Sequence, residues 1–238
     1  MTPEHKALLE ELRAASRPAG GFDLQAYAGT RSPMLNVRVP DRRRIAKTWL
    51  KAHRDWSTSQ VLALVDDLVA GETHDEKTLG LLLLEGRGRR PFGPAEVDRW
   101  LDRLVGWAEV DSLCQSTFGP EDLLGDWPVW SRFIRRLSQD ANINRRRASL
   151  VLLCRSTRSS PDPRLKQLGL EMVEALKGER DILVTKAVSW VLRTMGERHP
   201  AEIAAYLEAN AATLPAIAVR ETRIKLATGR KTPRPRSA

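Results

Sequence analysis

The sequence has little of what several protein classes require. Among its 238 residues there are only 2 cysteines, so a scaffold held by disulfides is excluded, and 15 glycines are too few for a collagen-like chain. No apolar run approaches the roughly 20 residues of a membrane span. The first residues lack the basic start and apolar stretch of a secretion signal. We therefore expect a soluble cytoplasmic protein.

Common catalytic motifs are also missing. Cys114 and Cys154 stand alone without CxxC spacing, and the 4 histidines are scattered, so we expect no metal site. The glycine-rich phosphate-binding motifs and the Gly-x-Ser-x-Gly elbow are absent, which argues against nucleotide chemistry and serine hydrolysis. The sequence predicts no cofactor, and the two cysteines are interpreted as small buried apolar residues.

The positive charge is unevenly distributed. The net charge is +9, and residues 219–238 hold seven basic residues against one acidic residue, a net +6. The rest of the chain is mildly basic, with arginine clusters at 42–44, 132–136 and 145–147. Residues 230–238 are too polar and proline-rich to fold alone, so we predict a basic, disordered tail.

Almost every other segment has the pattern of an α-helix. Apolar residues at 97–105 follow the spacing of a buried helix face, and similar stripes occur at 61–68, 165–176 and 184–195. Ser57 and Thr73 each begin a capping box, and no stretch alternates as a strand does. The pattern predicts roughly a dozen helices of about 10 to 17 residues, paired and stacked side by side.

This organisation predicts an all-α fold. We expect an α-α superhelix, a solenoid of HEAT-like repeats of about 40 to 47 residues, with a concave face. The prediction is a single domain over residues 1–229, followed by the tail at 230–238.

The first candidate site is Trp107 with Asp111. Trp107 lies off the apolar stripe that ends at Val105, and spacing of four places it on one face with Asp111 if the helix continues past Gly106. If the helix breaks at Gly106, both lie at a helix junction. The alternative interpretation is a packing tryptophan and a helix-capping aspartate.

Arg147 is the second candidate. It lies on the side of the buried residues Leu150, Val151 and Cys154, where an unpaired guanidinium is costly. It therefore needs an anionic partner. That partner is either an internal carboxylate or a nucleic-acid phosphate bound through two parallel hydrogen bonds.

The third candidate is the face formed by Lys186, Trp190 and Arg193. Spacing of i, i+4 and i+7 separates these residues from the apolar stripe of the same helix. A tryptophan flanked by cations suits stacking on a sugar or base with phosphate contact, whereas the alternative is a tryptophan covered by long cationic side chains.

Repeat spacing connects the three candidates. Trp107 and Arg147 are 40 residues apart, and Arg147 and Trp190 are 43 apart. These separations are close to one HEAT-like repeat, so equivalent helices would present all three candidates on one concave face.

At this point the sequence resembles a known family, the AlkD-like DNA alkylation repair enzymes, which are bacterial glycosylases built from HEAT-like repeats. The resemblance covers roughly residues 8–225. It depends on four motifs in order, at residues 36–43, 107–111, 142–147 and 186–193.

The resemblance implies roles for individual residues. Trp107 and Trp190 would flank the deoxyribose of the damaged nucleotide, Asp111 would be the catalytic carboxylate, and Arg147 would hold the lesion strand. Tyr27 matches a family position that lines the site. Phosphates of the duplex would be met by the clusters and faces already described, namely Arg42, Arg43, Arg145, Arg146, Lys186 and Arg193.

Three positions depart from the family pattern. Gly106 stands where a second tryptophan is common, Asn144 where an aromatic residue is expected, and Asn36 where a Gly-x-x-x-Pro motif begins. These departures motivate one alternative, a relative that binds DNA without excising a base. A HEAT-like protein-binding scaffold is the other.

The function predicted from the resemblance is base excision repair. The protein is expected to hydrolyse the N-glycosidic bond of cationic N3- or N7-alkylated purines, such as 3-methyladenine and 7-methylguanine, without flipping the base. We expect it to act as a monomer on double-stranded DNA containing alkylated bases, without metal or membrane. In a bacterial cell it would be cytoplasmic, and nucleoid-associated when bound to DNA.

Overall fold

The computed structural model describes residues 1–85 and 92–232, apart from the side chain of Ser116. Within these residues there are fourteen α-helices and no strand, so the predicted all-α class is confirmed. The helices are α1 Pro3–Ala14, α2 Leu24–Ala28, α3 Val39–Ala52, α4 Thr58–Val69, α5 His74–Glu85, α6 Pro94–Leu101, α7 Trp107–Thr117, α8 Pro120–Gly125, α9 Trp127–Ser138, α10 Ile143–Ser159, α11 Pro163–Leu176, α12 Ile182–Met195, α13 Pro200–Asn210 and α14 Ala216–Thr228.

The chain divides into two compact units, Met1–Thr117 and Phe118–Ala238. In the first unit α5 is central, since it packs against α1, α3, α4 and α7, and in the second unit α10 and α12 are central. Both α5 and α10 are buried on several sides rather than along one stripe, as expected of a helix surrounded by others. The single domain over residues 1–229 stays a prediction.

The predicted capping boxes are both present. The backbone N–H of Ser57 donates to Gln60 Oε1 at 2.9 Å, and the hydroxyl of Ser57 accepts from the N–H of Gln60. Thr73 and Glu76 exchange the same pair of bonds at 2.8 and 3.2 Å. Each box pairs backbone N–H groups that the first turn of a helix leaves without a partner, so α4 and α5 begin where the sequence predicts.

The apolar stripes are buried as predicted, with one correction to helix length. Leu104 is buried, yet α6 ends at Leu101 and residues 102–106 form a turn. The stripe indicated closeness to the core, and a turn residue can bury its side chain as fully as a helical one. Helices α2 and α8 have 5 and 6 residues, too few for a periodic stripe to predict them.

Residues 230–232 follow α14 and are exposed. The rest of the predicted disordered tail, residues 233–238, lies outside the described residues.

A buried histidine joins three helices of the first unit. His5 Nε2 lies 2.8 Å from Glu76 Oε1 of α5, and Nδ1 lies 3.2 Å from Asp67 Oδ2 of α4. Burial alone would lower the pKa of His5, but the hydrogen bond to Glu76 and the charge of Asp67 outweigh it and raise the pKa above 6.5. Burial would raise the pKa of both carboxyls, and bonds from Thr2 to Asp67 and from His5 to Glu76 instead lower each one.

This cluster predicts a pH-dependent stability. Protonated His5 adds its full contribution to the free energy of unfolding below about pH 6.5, and this contribution is lost as the pH rises through its raised pKa. The two carboxylates add their full contribution above about pH 4.5, and this is lost as the pH falls through their lowered pKa values. His5→Gln should therefore reduce the free energy of unfolding by about 3 kcal/mol at about pH 5.5 and by less at about pH 8.5, measured by urea denaturation. His199→Gln, next to the exposed Glu202, is the control and should cost under about 0.5 kcal/mol. An equal cost of His5→Gln at both pH values would contradict the ionic role.

Candidate functional site

A glycine connects the turn after α6 to the start of α7. Gly106 has φ +83°, and a Cβ placed on it would lie 2.3 Å from the carbonyl carbon and oxygen of Gly29 and 2.5 Å from the oxygen of Ala28. A side chain is therefore excluded by both the left-handed backbone and the adjacent chain. Helix α6 has already ended at Leu101 and α7 begins after Gly106, so Trp107 lies at a helix junction, as in the second of the two geometries left open by the sequence. The tryptophan of the family pattern would not fit here.

Trp107 is the first residue of α7 and contacts Tyr27 in two ways. Its indole Nε1 donates to the backbone oxygen of Tyr27 at 2.5 Å, and the two rings are 5.3 Å apart in an edge-to-face arrangement of 84°. The ring of Phe22 also contacts Tyr27, with centroids 5.5 Å apart. Tyr27 is 59% exposed, so this aromatic group presents an accessible ring edge and face.

Asp111 follows one turn after Trp107 on the same face of α7. Both residues line a cleft of about 380 Å³ in the first unit, which is the candidate site. The lining includes Tyr27, Arg42, Arg43, His74, Trp107 and Asp111. The tertiary structure thus brings together the Trp107 and Asp111 pair, the Arg42 and Arg43 cluster and Tyr27, all of which the sequence analysis singled out, and adds His74.

Glu109, between Trp107 and Asp111, faces the interior and is 0% exposed. It accepts hydrogen bonds from Thr30 Oγ1 at 2.6 Å, His74 Nδ1 at 3.1 Å and the backbone N–H of Val105 at 2.9 Å. Burial would raise the pKa of Glu109, but the bonds from His74, Thr30 and Val105 outweigh it and lower the pKa. The ionised carboxylate therefore fixes the α2–α3 segment, the start of α5 and the start of α7 around the cleft.

Asp75 holds the segment that enters α3. Its two oxygens accept the backbone N–H groups of Leu35 at 2.7 Å and Val37 at 3.1 Å. Asn36, between them, has φ +59°, a conformation that asparagine tolerates better than most residues. Asparagine at the first position of the motif thus keeps the left-handed backbone that glycine would adopt.

The two arginines of the cleft have different surroundings. Arg42 is buried, donates to Thr78 Oγ1, and places its Nε 3.9 Å from Asp75 Oδ1. Burial lowers the pKa of Arg42 and the charge of Asp75 partly offsets this. Arg43 is exposed and lies 3.4 Å from Glu85 Oε1. Phosphate contact by either stays a prediction, and Arg43 is the more accessible of the two.

In the second unit, the arginines of α10 contact neighbouring backbone. Arg147 is 4% exposed, and its Nη1 donates to the carbonyl of Leu183 in the first turn of α12. Arg146 donates to the carbonyls of Asp140 and Ala141 at 2.8 Å and forms an ion pair with Glu179 at 2.7 Å. These contacts fix the start of α10, and DNA binding by these arginines stays a prediction.

The cationic and aromatic face of α12 lies off its core, as the spacing predicted. Lys186 is exposed and Trp190 is half-buried, while the apolar stripe of α12 is buried. Arg193 Nε lies 3.3 Å from Ser189 Oγ and 3.5 Å from Glu221 Oε2. Burial lowers the pKa of Arg193, and Glu221 acts in the opposite direction. Arg193 is thus paired with a carboxylate of its own unit.

The sequence analysis missed His74, Asp75 and Glu109 as site residues. A signal was present for Glu109, because it lies four residues before the buried Leu113 and so on an apolar face of α7, where a carboxylate needs partners. His74 and Asp75 were taken only as part of a capping box. Among residues 1–85 and 92–232, no group of His, Cys, Asp or Glu side chains is arranged to hold a metal ion, and no helix is long and apolar enough to cross a bilayer.

The close approach at Gly106 generates a prediction. Gly106→Ala should lower the free energy of unfolding by about 2–4 kcal/mol, because a left-handed backbone and a backbone clash act together. Displacement of α2 should also change the fluorescence of Trp107. Gly20→Ala, which has nothing within 4 Å of the added Cβ, is the control and should stay within about 0.5 kcal/mol in the same denaturation experiment. Equal stabilities of the two variants would contradict the contact.

Comparisons with known proteins agree on one family. A family model described as DNA alkylation repair enzyme matches residues 8–226. A solved structure of a predicted DNA alkylation repair enzyme from Enterococcus faecalis superposes with a TM-score of 0.68 and 16% sequence identity, covering 95% of this chain and 97% of that chain, which shows a shared fold. None of the curated proteins matches the chain significantly in sequence. Since the family match spans most of its length, the chain belongs to the DNA alkylation repair enzyme family.

Proposed function

We propose that this protein is a DNA N-glycosylase that hydrolyses the bond between deoxyribose and a cationic N3- or N7-alkylated purine. Membership of the family supports a role in DNA repair, with DNA as the partner. The observation that carries the finer proposal is the cleft in which Tyr27, Trp107 and Asp111 lie together. Aromatic rings beside a carboxylate suit a reaction in which a sugar becomes positively charged.

The chemistry follows from the charge of the lesion. A purine alkylated at N3 or N7 is already a cation and leaves as a neutral base, so a general acid is unnecessary. Positive charge then develops at the anomeric carbon. A carboxylate at about 4 Å, at an effective dielectric near 20, stabilises such a charge by about 4 kcal/mol. Asp111 is the residue of the cleft proposed for this role.

Aromatic faces would add to this stabilisation. Cation–π attraction contributes about 0.5 to 2 kcal/mol for each ring over which the sugar cation lies. Trp107 supplies one such ring in the cleft, and Trp190 of α12 is proposed as the second. The bond from Trp107 Nε1 to the backbone of Tyr27 fixes the plane of the first ring before substrate arrives.

DNA would be recognised through its backbone and the charge of the lesion, with little reading of sequence. The exposed cations Arg43 and Lys186 are the proposed phosphate contacts, with Arg147 and Arg193 available after local rearrangement of their present partners. We propose, from the resemblance to the family, that the protein acts as a monomer and does not flip the damaged base.

Excision by the wild type and by Asp111→Asn tests the proposal. Purified protein is incubated with methylated duplex DNA, and released 7-methylguanine and 3-methyladenine are measured under single-turnover conditions. The wild type should release both above the spontaneous rate, and Asp111→Asn should lose about 10²- to 10³-fold in rate because it removes the charge that stabilises the transition state. Duplex binding and stability should be nearly unchanged.

Asp55→Asn, in the exposed turn after α3, is the matched control and should retain full activity. Equal activity of Asp111→Asn and the wild type would remove Asp111 from its role. A wild type that binds duplex DNA without releasing bases would favour the alternative of a non-catalytic DNA-binding protein.

The basic tail generates a separate prediction. Deleting residues 230–238 removes four basic residues, so the affinity for duplex DNA should fall at low salt and the difference should diminish as the salt concentration rises. Fluorescence anisotropy at several salt concentrations measures this. The single-turnover excision rate at saturating enzyme should be unchanged, and a slower rate there would show that the tail takes part in chemistry.

A further inference from the structure

The cleft contains a titratable side chain that the proposed chemistry has not used. His74 lines the cleft together with Asp111 and is 3% exposed. It is the first residue of α5, and its backbone N–H donates to the carbonyl of Pro33 at 2.9 Å. Its main chain is therefore fixed at the start of a central helix.

Glu109 determines which ring nitrogen of His74 carries the proton. His74 Nδ1 lies 3.1 Å from Glu109 Oε1, and Glu109 is fully buried and held ionised by its other donors. An ionised carboxylate only accepts hydrogen bonds, so Nδ1 must donate. In the neutral ring Nε2 is then left with its lone pair.

Because Nδ1 is directed at the buried Glu109, Nε2 is the ring nitrogen left for contact with the cleft that His74 lines. Nε2 makes no hydrogen bond within the described part of the chain. It is also not among the fully buried side-chain atoms there that lack a partner. A histidine lone pair beside a cleft that also contains a carboxylate, on a ring oriented by a second acidic residue, is an arrangement in which a base can act on water.

We infer that His74 is the general base of the reaction, its Nε2 taking a proton from the water that attacks the sugar. This inference rests on the proposed glycosylase function. The bond from the anomeric carbon to the purine nitrogen breaks, and its electron pair stays on the purine, which leaves as a neutral base. The oxygen of water forms the new bond to the anomeric carbon, and the proton that water loses goes to Nε2.

A separate base keeps Asp111 available for electrostatic stabilisation. A carboxylate that accepted the proton of water would lose its charge while the sugar is still positive, whereas transfer to His74 keeps Asp111 ionised throughout. The charged groups around the ring are Glu109 and Asp111 of α7, Arg42 and Arg43 of α3, and Lys77 of α5. With Asp75, which lies 3.9 Å from Arg42, three carboxylates face the two arginines and Lys77, so the transient imidazolium is added to a group of balanced charges.

The test is the pH dependence of single-turnover excision at saturating enzyme. The wild-type rate should fall toward acid pH, because an imidazolium cannot accept a proton. His74→Gln should be about 10²-fold slower near neutral pH, the lower end of what a general base contributes, and should lack the acid decline seen in the same range. Added imidazole should restore part of the rate of His74→Ala, in proportion to the neutral form of imidazole.

Several controls separate a base from a purely structural histidine. His53→Gln, at the end of α3 and outside the cleft, should keep the wild-type profile and not respond to imidazole. Nitrogen-15 NMR of the histidines should find His74 protonated at Nδ1 in the wild type. In Glu109→Gln the amide can donate to Nδ1, so the proton of His74 should move to Nε2, and excision should be slow and independent of pH as in His74→Gln.

Outcomes against the inference can be distinguished from failure of the proposed function. The role of His74 alone is overturned if the wild type excises bases, the pH profile of His74→Gln is parallel to the wild-type profile, and imidazole does not restore the rate of His74→Ala. A wild type without excision overturns the proposed function and this role with it. A neutral His74 protonated at Nε2 in the wild type also overturns the inference, whatever the activity.

Discussion

The arrangement of the candidate site depends on the buried carboxylate of Glu109. An ionised group without solvent contact must be paid for by hydrogen bonds, and Glu109 receives them from three segments that are distant in sequence, at Thr30, His74 and Val105. Because an unpaired carboxylate inside the fold would be costly, none of these three segments can move away from Glu109 without destabilising the fold. The neighbouring residues are therefore held in place around the cleft, namely Tyr27, Trp107 and Asp111.

Backbone conformation adds a second constraint, at the two positions where this chain departs from its family in the first unit. Gly106 allows α2 to approach the start of α7 so closely that Trp107 can bind the backbone of Tyr27. Asn36 keeps a left-handed turn that lets Asp75 accept both neighbouring N–H groups. The departures are thus consistent with an intact cleft.

The arginines show why sequence clusters of positive charge are a poor guide to binding surfaces. Arg42 and Arg147 lie in such clusters but are buried. Arg42 contacts Thr78 and Asp75, and Arg147 donates to the carbonyl of Leu183. Neighbouring cations such as Arg43 and Lys186 remain exposed. Spacing gave the correct face for Lys186 and Trp190, since helical periodicity alone determines it, but it could not show that Arg193 is paired with Glu221 from another helix.

The sequence by itself determined the all-α class, the buried stripes and the capping boxes, because these depend on periodicity and on contacts within a few residues. The resemblance to the family came from four motifs in order, and the family match over residues 8–226 confirms it. The sequence also singled out Trp107 together with Asp111, although it left open whether they share a helix face or lie at a helix junction. The resemblance implied that Tyr27 lines the site, but only the tertiary structure showed its contact with Trp107 and the pairing of His74 with Glu109 at the same cleft, since those contacts connect residues 80 and 35 positions apart. No local pattern encodes such a contact; it follows from which helices pack together and from the need to pair a charge that the packing has buried.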